Sequence, residues 1–172
     1  MYVCLELRGR YTKLIPYDEK YLDYLYAQLT TKDIEGFEAC ELKQKSDLYK
    51  FMNNSNINIK VFIKNMSNDK IMGYIAGYNY NKIDGYIYVT SILEEQEQLN
   101  KEGLNLFIDY LFKCFPIRKI YCEVYERNNN KLDIIKAMGF REEAVLNEDV
   151  FFDGKYKNKY ILALYREDYS NG

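Results

Sequence analysis

Residues 91–103, SILEEQEQLNKEG, leave an apolar β-rich run and enter an amphipathic pattern. A strand that feeds a helix is a place where a fold can hold an anion. The first helical N–H groups lack partners there, and the helix dipole is positive. The segment carries four glutamates and one lysine, a net charge of −3, with no glycine before Gly103. Two readings fit. Either backbone amides and Lys101 hold a phosphate despite the carboxylates, or Asn100 is an N-cap and Glu102 a first-turn acid that suits the dipole without a ligand. A second candidate is Glu123 in IYCEVYE. Period-two alternation sets it opposite Ile120, Cys122 and Val124 and alongside Tyr121 and Tyr125. A carboxylate flanked by tyrosines can take a proton from an amine through water, and it can equally be a polar residue on a half-exposed sheet face.

The chain contains no histidine. That removes every Ser–His or Cys–His nucleophile and the usual near-neutral base, so proton transfer falls to Glu, Asp, Tyr, Lys, Cys or water. Cys4, Cys40, Cys114 and Cys122 show no close paired spacing. They read as reduced, partly buried small hydrophobes rather than metal ligands. The formal charge of −2 over 172 residues, with acids and bases interleaved, gives no reason to expect a nucleic acid partner. No apolar run is long enough to span a bilayer, and MYVCLELRGRY lacks the features of a signal peptide. A cytoplasmic location and no membrane partner are the expectations. The 19 tyrosines beside no tryptophan read in part as coding bias.

These residues must be placed by the elements around them. Alternation and turn residues predict a strand over 3–7, a turn at Gly9 and an extended piece over 11–15. Tyr21, Leu22, Leu25, Tyr26 and Leu29 share one helical face, with start signals at Pro16 and Asp18. Residues 30–40 read as a loop or short helix, and KSDLYKFMNN as a second helix. Strands over 57–65, 71–80 and 86–93, joined by SNDK and NKIDG, form an antiparallel meander. Leu104, Phe107, Ile108, Leu111 and Phe112 mark the strongest helix, which Pro116 stops. A strand over 118–125, a short helix over 131–138 ending at Gly139, and strands near 143–146 and 156–165 around FFDGKY complete the chain. Residues 1–172 read as a single α+β domain, with helices on both faces of one sheet.

ERNNNKLDIIKAMGFREEAVL followed by GKYKNKYILALYREDY resembles the C-terminal half of the GNAT acetyltransferase superfamily, and within it the ribosomal-protein alanine N-acetyltransferase branch. Asn128, Gly139, Phe140, Glu143, Gly154 and Tyr156 match that branch, while Asn158 stands where it prefers Asp. LRGRYTKLIPYDEKYLDYLY resembles its first strand and helix. The resemblance implies a GNAT-like acyl-CoA N-acyltransferase fold, a mixed and mostly antiparallel sheet of about seven strands. It also implies transfer of an acetyl group from acetyl-CoA to an amine of a small molecule or a protein N-terminus.

In that family the pantetheine arm lies along the strand that here is YIYVTSIL, ending in Ile92 and Leu93. The pyrophosphate lies on the turn that here holds Gln98, Leu99, Asn100 and Lys101. The family's Gln/Arg, glycine and Gly/Ala positions are Glu95, Gln98 and Asn100 here. Asn128 is the family's pantetheine-contacting residue or a helix cap. Lys131 stands at the branch's serine position, where it assists a thiolate or is a solvated helix residue. Ile135 stands at the tyrosine position of other members. The acidic, aromatic segments TKDIEGFEACELKQ and NEDVFFDGKY would suit a cationic amine, and solvated loops look the same. The alternative function is a non-catalytic GNAT-fold binding or scaffold module that no longer holds CoA in the usual way.

Overall fold

The computed structural model describes residues 7–31, 44–93, 97–126 and 129–170. Most of the strand expected over 3–7, most of the stretch 30–40, Cys4, Cys40, Glu95 and Asn128 lie outside the described residues.

Among the described residues eight strands, one more than the seven or so expected, form one sheet: β1 (Leu7–Arg8), β2 (Thr12–Pro16), β3 (Ile57–Asn65), β4 (Ile71–Asn81), β5 (Tyr86–Leu93), β6 (Lys119–Tyr125), β7 (Arg141–Phe152) and β8 (Lys155–Tyr165). Their order is β1-β2-β3-β4-β5-β6-β8-β7. The β3–β4–β5 meander appears where alternation and turn residues place it, and the β7–β8 hairpin forms around FFDGKY, but β7 runs over Arg141–Phe152, well beyond the expected 143–146. The hairpin turns at Asp153 and Gly154, with φ of 50° and 75°, the mirror-image turn that Asp-Gly favours. Every pairing is antiparallel except β5 with β6. That parallel pair needs a long crossover, and α3 (Glu97–Cys114) supplies it.

Helices cover both faces of the sheet. A 3-10 turn at Glu19–Tyr21, capped by the Asp18 carboxylate on the Lys20 N–H at 3.1 Å, starts α1 (Leu22–Thr31). With α2 (Lys45–Met52) it buries Leu22, Leu25, Leu29, Leu48 and Met52 against Phe62, Tyr74, Ala76 and Ile92. On the opposite face α3 packs Leu104, Phe107, Ile108 and Leu111 on Ile63, Ile75, Ile87 and Ile120. Each such side chain contributes roughly 1.5–3 kcal/mol of burial. Gly103 allows this approach, because a Cβ there would sit 2.8 Å from Ile63 Cδ1. α4 (Asn129–Ala137) adds Ile135 to the same core, and Gly139, at φ 91°, ends it as the C′ residue. A last short helix, α5 (Arg166–Ser170), follows β8.

One local reading needs correction. Asn100 is not an N-cap, because α3 already begins at Glu97. Asn100 lies one turn before Leu104 on the buried face and is 7% exposed. Glu102 is likewise beyond the first turn, and its carboxylate is engaged elsewhere. Glu102 Oε1 accepts the Arg10 N–H at 2.7 Å, and Oε2 accepts the Thr12 N–H at 2.7 Å and the Thr12 hydroxyl at 2.6 Å. The tight approach uses Gly9, where a Cβ would fall 2.7 Å from Glu102 Cδ.

Candidate active site

The site begins with a limit on strand pairing. β5 and β6 pair only from Tyr86↔Lys119 to Val89↔Cys122. Beyond that level β5 stays with β4 as far as Leu93, and β6 stays with β8 as far as Tyr125. The sheet therefore parts between two parallel strands, leaving a notch at their C-terminal ends. α3 follows the end of β5, and α4 follows the end of β6. Both helix starts consequently lie toward the notch, where unpaired N–H groups favour an anion.

Several candidate residues border this end of the sheet. Ile92 is buried in the α1/α2 core and pairs with Tyr74, while Leu93 packs partly into the α3 core. Their side chains point to opposite faces, so what they present to a ligand is strand backbone. Gln98 and Lys101 are exposed, Leu99 is half-buried and Asn100 is buried, all within the first turns of α3. Lys131 is half-buried in the first turn of α4. Ile135 is in the core, so that position offers no proton donor.

Glu123 lies on β6, on the sheet face opposite α3, with Ile120, Cys122 and Val124 buried on the other side. The Tyr78 phenol donates to Glu123 Oε2 at 3.3 Å. Burial, then the neighbouring Glu123 charge, pushes the Tyr78 phenol far up, so it stays protonated and donating. Tyr88 is raised as well, by burial and then by Glu123. Register explains the grouping: Tyr78 is opposite Tyr88, and Tyr88 is opposite Tyr121. The rings follow, with centroids 5.6 Å apart for Tyr78–Tyr88 and 4.9 Å for the stacked Tyr88–Tyr121. The tyrosines that read as compositional bias thus form a ladder across three strands beside the carboxylate. No spacing along the chain signals it, because Tyr78 and Glu123 are 45 residues apart.

A second polar group anchors the far end of the ladder. Lys119 Nζ lies 2.9 and 3.1 Å from the Glu143 oxygens and 4.4 Å from the Tyr121 ring centre. Tyr165 also donates to Glu143. Burial works against the Glu143 charge, but the Tyr165 and Lys119 hydrogen bonds outweigh it and hold the carboxyl below its ordinary value. A separate open cleft on the outer side of α3, lined by Gly9, Lys101, Glu102, Asn105 and Tyr169, does not include Glu123. Among the described residues no group of three or more Cys, Asp or Glu side chains is placed to hold a metal ion, and no helix is long and apolar enough to cross a membrane.

No protein-family model matches the chain. A 71-residue stretch is 27% identical to the spermidine N(1)-acetyltransferase of Escherichia coli K12, spanning 41% of this chain and 38% of that protein. The solved spermidine N-acetyltransferase from Vibrio cholerae, in complex with CoA and spermine, superposes with a TM-score of 0.84 at 17% identity over 95% of this chain and 100% of that one. A GCN5-related N-acetyltransferase from Brucella melitensis gives 0.75 at 15% identity, over 98% and 82%. These relatives are spermidine and GCN5-related N-acetyltransferases, whereas the ERNNN segment resembles the ribosomal-protein alanine branch. Two residues that carry that resemblance, Gly139 and Phe140, serve here to end α4 and to pack in the core. Among the described residues the architecture, a mixed and mostly antiparallel eight-stranded sheet with five helices and a parted parallel pair, is the GNAT fold.

Proposed function

We propose that this chain transfers an acetyl group from acetyl-CoA to a cationic amine of the polyamine class. The observation that carries the reading is Glu123, half-exposed and held by Tyr78, one residue beyond the last β5–β6 pair. The likeness to a spermidine acetyltransferase solved with CoA and spermine, and the 71-residue match, support the substrate class.

The residues present fit the donor. An extended pantetheine arm needs strand-edge hydrogen bonds, and β5 past Val89 has no β6 partner. A pyrophosphate needs N–H donors, which the start of α3 offers, while Lys101 sets one cation against the glutamates of the same segment, whose charges weaken the hold. Acetyl-CoA supplies the acyl thioester. Strand edge and helix starts fix its position, and Glu123 with its tyrosines holds the amine, so much of the barrier is met by proximity. Glu123 takes the proton that the attacking nitrogen loses, directly or through one water. Tyr78 keeps the carboxylate oriented while it does so. The departing thiolate needs only solvent for its proton, consistent with Ile135 being buried.

Incubation with acetyl-CoA and spermidine, followed by mass spectrometry, should show one added acetyl group, and millimolar acetyl-CoA should raise the melting temperature. No product and no thermal shift would favour the non-catalytic module. That second reading draws on α3 beginning at Glu97 with side chains at every position before Gly103.

A further inference from the structure

Lys159, on β8, lies on the same sheet face as Glu123. Its Nζ lies 2.8 Å from Asp149 Oδ2 and 3.9 Å from Glu123 Oε1, and 6.0 Å from the centre of the Tyr125 ring. The Lys159 side chain is 17% exposed, and each carboxylate 31%. Tyr78 occupies the other Glu123 oxygen. A primary ammonium on a four-carbon stem therefore bridges two carboxylates beside the candidate base. Burial works against its charge, but the Asp149 hydrogen bond and the nearby Glu123 outweigh burial and raise its pKa. Lys159 is thus a cation there, not a nucleophile.

Asp149 is brought to this position by an irregularity in the hairpin. The β7–β8 register breaks between Leu146 and Val150, and Glu148 adopts φ 53°. Asn158 pins the bulge: its Oδ1 accepts the Glu148 N–H at 2.9 Å. Its own N–H donates to Glu126 Oε2 at 3.0 Å, and its carbonyl accepts the Glu126 N–H at 2.9 Å. Bulges re-aim side chains, and this one brings Asp149 to the ammonium that faces Glu123.

We propose that Lys159 is a tethered stand-in for a second ammonium of the acceptor, a positioning residue that competes with that ammonium for Asp149 and so limits the preference for polyamines over monoamines. The inference rests on the acetyl-transfer reading above. A polyamine carries ammonium groups separated by short methylene chains, the same chemistry as a lysine side chain. With one nitrogen at Glu123, its next ammonium replaces Lys159 at Asp149, and the flexible lysine stem carries its charge out to water. A monoamine brings no second cation and leaves Lys159 in place.

The test compares KM for spermidine and for butylamine at saturating acetyl-CoA. In Lys159→Met the ratio of spermidine KM to butylamine KM should fall about fivefold, the size of one partly solvated like-charge contact. Lys159→Arg should return the ratio to the wild-type value, and Asp149→Asn should raise it. An unchanged ratio in Lys159→Met, or an equal fall for both amines, overturns the proposal. Calorimetric titration of spermidine into the acetyl-CoA-free proteins reads the same exchange without catalysis. Tighter binding by Lys159→Met supports the stand-in even if no acetyl group is transferred, in which case the acetyl-transfer reading alone fails. Equal binding overturns the stand-in. If Lys159→Met does not fold, Asp149→Asn carries the test, and an unchanged ratio there overturns the proposal.

Discussion

Glu102 Oε2 accepts both the Thr12 hydroxyl, at 2.6 Å, and the Thr12 N–H, at 2.7 Å, across 90 residues of chain. Thr12 is fully buried, and the other Glu102 oxygen accepts the Arg10 N–H. The carboxylate thereby ties α3, which borders the notch, to the β1–β2 turn. Losing it leaves the buried Thr12 hydroxyl and N–H without their acceptor. Glu102→Ala should cost about 3 kcal/mol and lower Tm by roughly 5–10 °C. A calorimetric scan showing no loss would refute the tie.

The same contact makes a pH prediction. Burial works against the Glu102 charge, yet the Thr12 hydroxyl and the Arg10, Tyr11 and Thr12 amides outweigh it and depress the pKa. A depressed folded pKa means the contribution is fully present above the unfolded carboxylate value, about 4.3, and is lost as pH falls through the folded value. Denaturant titrations of wild type and Glu102→Gln should differ most near neutrality and converge in acid.

Glu123→Gln keeps the shape of the side chain and removes its basicity. If Glu123 takes the amine proton, kcat should fall about a hundredfold with Tm nearly unchanged. Steady-state acetylation of spermidine at several pH values would check it, and a variant as fast as wild type would remove Glu123 from the chemistry.

Lys101 is exposed in the first turns of α3, the one cation there beside Glu97 and Glu102. Lys101→Glu should weaken acetyl-CoA binding about tenfold, or about 1.4 kcal/mol, with a smaller effect in high salt. Calorimetric titration at two ionic strengths would show it.

Lys119 and Glu143 hold the tyrosine ladder from below, with side chains 10% and 26% exposed. Lys119→Met should be destabilising by about 3 kcal/mol, because it leaves a carboxylate part-buried without its cation. The pair with Glu143→Gln should be less damaging than the sum of the single variants, a coupling of about 1–3 kcal/mol by denaturation.

Much of this architecture is legible in sequence because it depends on local periodicity. The faces of α1 and α3, the alternation of β3 to β6 and the Asp-Gly hairpin follow from side-chain spacing within one element. Gly139 as a helix C′ residue is of the same kind. The identity of Glu123 as a face-exposed carboxylate is legible too, since alternation needs no partner strand. Asn100 and Glu102 show where that reasoning stops. Cap residues and buried polar residues have the same composition, and only the packing of α3 on β3 distinguishes them.

Sequence by itself determined which residues are apolar, which alternate, and that no histidine is available for catalysis. Tertiary structure alone decided that β5 and β6 part beyond Val89, that Tyr78, Tyr88 and Tyr121 align across three strands, and that Lys159 meets Glu123 and Asp149. The reason is physical: strand register and bulge position are set by the competition of whole sheet edges and turns for hydrogen bonds, and a one-residue shift would send every one of those side chains to the other face.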